Sequence, residues 1–434
     1  MRPTVAAWAV TRVLLLLLVL KVLALPGPDV TTDVSVIYQG WFEVLRTGTF
    51  PLGDVTWQYP PGASLPVLAP GLLPFLDYPT AFYLLVLHVD ALVLAMLLRA
   101  GRDRGHGPAG ARFWVAGVAL LGPTAYARYD VMVTAVAVAA LLAAARHPRA
   151  AGALAGFGAM LKVWPALVLV GTARGRTTRV AWSVAAATGL LLAAAFTAAM
   201  PGAWDFLTAQ RDRGVEVESL GALVLHVARQ FGWEGRVEFH YGSMEFLGPQ
   251  VELVSTVSLA LSALAFGWLL WWRLRAVDRT PTTTADAAFA AVLLFTTTSR
   301  VISPQYLLWL IGTAAVCLTL RSGRQLVPAL LVLLATPVTL LEFPVHFGAV
   351  VASEPLGLTL LLVRNGLLVA ASVLSCAGLW RSTVTEPRLR RAGAGLEARP
   401  PATHEPRAGE PGADGSGGGT AADGGRGGSG MLTW

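Results

Sequence analysis

The chain has 434 residues, 55% hydrophobic and only 14% charged, where a soluble domain of this size carries about a quarter charged residues. Its mean hydropathy is +0.59, and no alternating ten-residue pattern suggests a β-barrel, so an ordinary soluble enzyme is excluded. The net charge of +7 does not point to nucleic acid, because the basic residues cluster in short loops between apolar runs, where they set membrane orientation. The composition predicts an all-α, polytopic transmembrane protein of about 10–12 membrane segments, each full span needing roughly 20 apolar residues. The two cysteines, Cys317 and Cys376, fall inside apolar spans, and no CxxC or Cys/His metal spacing occurs.

With Arg2 taken as cytoplasmic, the first span covers residues 8–25. It reads as a retained helix, since it has no small-x-small cleavage site and further spans follow. Residues 26–78 then form a first outer loop. Within it, Val34, Ile37, Tyr38, Trp41, Val44 and Leu45 recur at helical spacing, with Asp33 at the N-terminus and Gly48 at the stop. That pattern predicts an amphipathic helix over 34–47, suited to the headgroup layer. Further apolar residues follow at 65–76, then a second span at 79–98 and two short ones at 113–126 and 131–145, joined by Arg128-Tyr129-Asp130.

The run 150–171 carries basic clusters at both ends but is too short for two full crossings. Two half-helices meeting at Lys162 satisfy both constraints, with the break at Val163-Trp164-Pro165, because non-helical backbone is tolerated where it lines a wet cavity. A span at 180–200 leads to a second large outer loop, 201–250, expected to hold short helices. Spans follow at 251–272, 285–298, 307–320, 326–341 and 356–380, with an outer turn at 299–306 and an outer loop at 342–354. From about Thr385 the composition turns to Gly, Pro, Ala, Arg and Glu, which predicts a disordered cytoplasmic tail over 385–434 beside one membrane domain over 1–384.

Ionisable residues collect at the outer level on four elements. They are Asp33 and Asp54 in the first loop, Arg128 and Asp130 in the next turn, Lys162 at the break, and Arg300 before Ser303-Pro304-Gln305-Tyr306. Each has a structural alternative: Asp33 as a helix cap, Asp54 as a turn residue, the cations as solvated helix ends. Lys162 is the hardest to explain that way, since a cation amid apolar residues costs roughly 2.5–3.5 kcal/mol on insertion scales and calls for an anionic partner. His226, His240 and His346 read as surface residues of the outer loops.

Several short runs carry a resemblance. They are Thr32-Asp33-Val34-Ser35-Val36-Ile37-Tyr38, Gly48-Thr49-Phe50-Pro51 leading to Gln58-Tyr59-Pro60-Pro61, Lys162-Val163-Trp164-Pro165, and Ser303-Pro304-Gln305-Tyr306-Leu307-Leu308-Trp309. In these the chain resembles the polyprenol-phosphate-sugar-dependent enzymes of the glycosyltransferase-C superfamily. The likeness is greatest to family 87, the bacterial α-mannosyltransferase-like proteins, and more distant to the GPI mannosyltransferases. The resemblance implies an inverting transfer on the outer face, from a polyprenyl-phosphate-linked sugar to a lipid, polysaccharide or protein acceptor, with mannose first among the sugars. It implies Asp33 as general base, Lys162, Arg300 and Arg128 at the donor phosphate, and Asp54, Tyr59, Gln305 and Tyr306 about the sugar or acceptor. No cofactor follows from it. The chain departs from the GPI enzymes in having no Asp-x-Asp, Asp29 and Asp33 being four apart, which leaves metal dependence open. The Ala-, Gly- and Arg-rich composition suits a bacterial plasma membrane. Two other readings stay open: a lipid or small-molecule transporter with Lys162 in its substrate site, and a non-catalytic scaffold.

Overall fold

The apolar blocks fold as helices, the one way a single chain segment can satisfy its own backbone hydrogen bonds in lipid. The computed structural model describes residues 1–390 except Asp278 and Pro281, and Met1–Leu389 packs as one unit. In chain order come α1 (Arg2–Val19), α2 (Gln39–Leu45, prolonging the π-helical turn Asp33–Tyr38), α3 (Ser64–Leu68), α4 (Tyr78–Asp103), α5 (Ala109–Leu121) and α6 (Asp130–Ala143). Then follow α7 (Pro148–Leu161), α8 (Arg176–Ala199), α9 (Phe206–Asp212), α10 (Ala222–Gln230), α11 (Val251–Arg275) and α12 (Thr283–Thr298). The last are α13 (Tyr306–Thr319), α14 (Leu326–Leu340), α15 (Phe347–Val351) and α16 (Pro355–Trp380). Among the described residues, six helices are long and apolar enough to cross a membrane alone: α1, α4, α8, α11, α16 and the segment Gly323–Val345 around α14. Shorter apolar helices, α6, α12 and α13 among them, stand with these, so the architecture is the expected all-α polytopic one.

The run after residue 147 is broken as its charges required. α7 ends at Leu161, Lys162 is extended (φ −153°, ψ 139°), and a 3-10 turn, Trp164–Leu169, leads the chain back. The close contacts prove the return: Gly152 of α7 meets Ala181 of α8, and Gly156 meets Ala185, so the two helices run parallel. Parallel neighbours need a reversing segment between them, and 162–175 supplies it. Residues 146–150 accordingly share a cleft with Arg176, Thr177 and Val180. The glycines let the backbones approach, because a Cβ on either would run into a carbonyl of α8. Gly156→Val is therefore expected to destabilise the fold by roughly 1–3 kcal/mol or more, read as a lowered unfolding temperature of the purified protein.

Some boundaries differ from the sequence expectation. α1 starts at Arg2, with Pro3 in its first turn, and ends before Lys21, which takes a left-handed φ of 60°. The first helix is thus shifted towards the N-terminus. Its Arg12 is buried and donates to Asp90 of α4 at 2.6 and 3.1 Å. Trp8 (2.9 Å), Trp114 (2.6 Å) and Tyr126 (2.8 Å) donate to the same carboxylate. This fully satisfied ion pair ties α1, α4 and α5 together, and neither charge was singled out from sequence.

The first outer loop holds its amphipathic helix, one residue longer at the start and two shorter at the end than expected. Val34, Tyr38, Trp41 and Leu45 are buried. They are spent on protein, not on the headgroup layer: Tyr38 packs against Phe82 and Tyr129, and Trp41 against Trp57 and Tyr59. The second outer loop also departs from expectation. Beside α9 and α10 it contains a three-stranded antiparallel sheet, order β1-β3-β2, from Val215–Glu216, Arg236–His240 and Ser243–Leu247. Tyr241 (φ 48°) and Gly242 (φ 76°) make the two-residue turn between β2 and β3, where paired positive φ angles match the strands' twist. At the C-terminus, helical structure continues past Thr385 through Leu389. The tail expected to be disordered lies, from residue 391 on, outside the described residues.

Candidate active site

A cavity of about 390 Å³ opens where the loops 26–78 and 201–250 meet the helix ends. Its wall takes Asp33 and Trp41 from the first helical stretch of the outer loop, Gln58 and Tyr59 from the segment after it, Arg128 from the turn before α6, and Lys162 from the break after α7. Gln210, Arg213, Glu216 and Glu218 come from the second outer loop, and Ser303, Gln305 and Tyr306 from the turn before α13. Residues from opposite ends of the sequence are thereby brought to one place.

Asp33 is the half-buried carboxylate of this cavity, with 31% of its side-chain surface exposed. Arg128 holds it: Nη2 stands 2.7 Å from Oδ2, while Nη1 donates to the carbonyls of Val30 (3.1 Å) and Ala127 (2.8 Å). Oδ1 has no hydrogen-bond partner among the described residues. Two opposing effects act on its proton. Burial raises the pKa and is the larger; the Arg128 charge lowers it, and the net result is above the ordinary aspartate value.

Lys162 is buried, and the anionic partner its burial called for is Asp130, reached at 2.7 and 2.9 Å. Trp309 Nε1 also donates to Asp130, at 2.6 Å. The ammonium lies 4.9–5.8 Å from the centroids of Tyr59, Tyr129, Tyr306 and Trp309, so rings enclose it on several sides. Two of its three N–H bonds are committed to Asp130, which leaves one for the cavity.

Two expected site residues lie elsewhere. Arg300 turns away from the cavity: its guanidinium donates to Ser255 Oγ (3.1 Å) and to the carbonyls of Gln210 and Arg211 (3.3 Å to the latter). It braces the second outer loop against α11. Asp54 faces a separate shallow groove and is used up locally, accepting from Trp41 Nε1 (2.9 Å), the Thr56 amide (2.8 Å) and the Thr56 hydroxyl (2.5 Å). Tyr59, Gln305 and Tyr306 do line the cavity.

The third cation of the cavity is Arg213, which sequence reasoning passed over. Its Nε pairs with Glu245 (2.9 Å) and its Nη2 donates to Ser243 (2.7 Å), while Nη1 has no partner among the described residues. A signal was available only for its neighbours: Val215-Glu216-Val217-Glu218 alternates apolar and charged residues with the period of a strand. A strand that buries Val215 and Val217 turns Glu216 and Glu218 to its other face, whereas Arg213 falls on the valines' parity and no local pattern marks it. Among the described residues, no group of three or more His, Cys, Asp and Glu side chains is arranged to hold a metal ion.

A family model described as Glycosyltransferase family 87 matches residues 57–304, more than half of the chain. No curated protein matches it. Among solved structures it is similar to crystal structures of ArnT from Cupriavidus metallidurans. The undecaprenyl phosphate-bound form has 17% identity and a TM-score of 0.41, over 92% of this chain and 81% of that one. The apo form has 17% identity and a TM-score of 0.42, over 90% and 79%.

Proposed function

The chain belongs to glycosyltransferase family 87, and from that premise we propose that it moves a hexose, mannose in the first instance, from a polyprenyl-phosphate donor to a lipid, polysaccharide or protein acceptor. The reaction is placed at the outer face of the plasma membrane. The observation that carries this reading is the cavity itself: one half-buried carboxylate, Asp33, with a free oxygen, in a wall shared with cations from three separate elements.

Asp33 Oδ1 accepts the proton of the acceptor hydroxyl as its oxygen attacks the anomeric carbon. The bond from that carbon to the phosphate oxygen breaks on the opposite side, so configuration inverts. Polyprenyl phosphate leaves as an anion that needs no proton, and acid catalysis can be absent. Its growing charge is met instead by fixed N–H donors, the arrangement that lowers such barriers most. Arg128, Lys162 and Arg213 are the donors within reach of the cavity, with Arg213 in the place that Arg300 was expected to take. Tyr59 and Tyr306 wall the site beside Lys162, and Gln305 offers an amide to the sugar or acceptor.

The outer-face assignment draws on charge asymmetry. Arg146, Arg149 and Arg176 share one cleft, and Arg174 bonds the carbonyls of Arg273 and Leu274. The cleft lies at the start of α7, a 14-residue helix whose far end meets the cavity at Lys162. Clusters of arginine mark the cytoplasmic side.

The direct test is reconstituted enzyme with radiolabelled polyprenyl-phosphate mannose and total membrane lipid. Label moving into an acceptor, with release of polyprenyl phosphate, is the expected result. Failure with every polyprenyl-phosphate sugar tried, from protein shown to be folded, would overturn the reading. In the same assay Arg213→Gln is expected to raise KM for the donor about tenfold or more, the size of a hydrogen bond to a charged group.

A further inference from the structure

The segment behind Arg213 alternates. Val215 and Val217 are fully buried in a small core with Leu225, Phe246 and Val350, so Glu216 and Glu218 turn the other way, towards the cavity. Both glutamates are themselves buried, at 3% and 4% exposure. Each keeps one carboxylate oxygen, Glu216 Oε2 and Glu218 Oε1, with no hydrogen-bond partner. A buried carboxylate oxygen left without a donor is costly, and a pair of them in one cavity wall is not explained by packing.

Glu216 is held through its side chain and Glu218 through its backbone. Glu216 Oε1 accepts from Ser303 Oγ at 2.9 Å, and the Glu216 amide donates to the Arg300 carbonyl at 3.1 Å. The Glu218 carbonyl accepts from Arg364 (3.0 Å) and Asn365 (3.4 Å). Arg364 is in turn clamped to Glu342 at 2.9 and 2.5 Å, which leaves Glu218 Oε1 at 3.9 Å from its Nη2, beyond hydrogen-bond reach. Arg364 Nε and Nη2 are therefore engaged with Glu342 and the Glu218 carbonyl, and its Nη1 bonds neither glutamate.

Oxygens held in this way can be completed by a ligand that brings hydrogen-bond donors. A phosphate brings none and is repelled. A pyranose brings several hydroxyls in a fixed array. We infer that Glu216 and Glu218 bind hydroxyl groups of the sugar being transferred, and so form the polar floor that distinguishes a glycosylated donor from the bare lipid phosphate. The division of labour follows: Arg128, Lys162 and Arg213 hold the phosphate, and the glutamates orient the ring. This inference rests on the proposed donor class.

The test compares binding of two lipids, polyprenyl phosphate and polyprenyl-phosphate mannose, to the full chain in nanodiscs. Wild type should prefer the mannosyl lipid. Glu216→Gln and Glu218→Gln should each cut that preference about tenfold while binding bare polyprenyl phosphate as wild type does, a control that also certifies folding. An undiminished preference in both variants sinks the inference and leaves the donor reading standing, as does a rise confined to the KM for acceptor, which would move the hydroxyls to the other substrate. Loss of both lipids together would make the glutamates part of the cavity's framework, against the inference. If wild type binds neither lipid, the donor reading fails and takes this inference with it.

Discussion

Asp33→Asn is expected to lower the transfer rate about 10²–10⁴-fold, the usual contribution of a positioned general base, without unfolding the protein. Asparagine matches aspartate in shape and can still accept a hydrogen bond from Arg128, which keeps its own bonds to Val30 and Ala127. What it cannot do is take the acceptor's proton. Single-turnover transfer from a bound labelled donor isolates that step from binding. The matched control is Asp54→Asn, expected to stay within a few-fold of wild type because Asp54 bonds only Trp41 and Thr56. If the two variants behave alike, Asp33 is only the acid that opens a helix.

The pH profile adds a sign. A base works when deprotonated, so activity should rise with pH through the pKa of Asp33, which burial lifts above the ordinary aspartate value of 3.8. Arg128 works against that lift. Removing its charge in Arg128→Gln should move the acid limb of the profile to higher pH. A limb that stays in place would separate the limb from Asp33.

Lys162→Met is expected to be the most destabilising single change considered, by about 3–5 kcal/mol, the range for removing one partner of a buried ion pair. Asp130 has no exposed surface and would keep only Trp309 as a donor among its present side-chain partners. Thermal unfolding of purified protein measures the loss. The double variant Lys162→Met, Asp130→Asn removes the stranded charge and should recover most of the stability. It should not recover transfer, because the third N–H of Lys162 is the one assigned to the donor phosphate. Recovery of both would make the lysine a structural ion and hand the phosphate to Arg128 and Arg213.

The three site residues that reasoning from sequence approached best share a property. Asp33 opens an amphipathic helix, Arg128 and Lys162 interrupt apolar runs, and in each case the local pattern makes a charge conspicuous. Arg300 was equally conspicuous and points elsewhere. Its bonds run to Ser255, 45 positions away, and to Arg211, 89 away. Nothing in its own neighbourhood could report that. Glu216 and Glu218 were overlooked for the opposite reason: in a loop already rich in charge, one more glutamate does not stand out until the strand period is read, and Arg213 lies outside even that period.

By itself the sequence determined the class of the protein, the positions of its helices and the reversal at Lys162. These follow from local necessities: backbone groups must bond within their own segment in lipid, apolar runs must be long enough, and arginines hold loops to one side. Tertiary structure alone decided which charges meet. Arg12 found Asp90 across 78 positions, Lys162 found Asp130 across 32, and Asp33 and Arg128 came together at one cavity while Arg300 was drawn to the loop behind it. The reason is physical. A helix is specified by neighbours along the chain, but a buried charge is specified by whichever opposite charge or carbonyl the packed helices bring within about 3 Å, and that is a property of the whole fold.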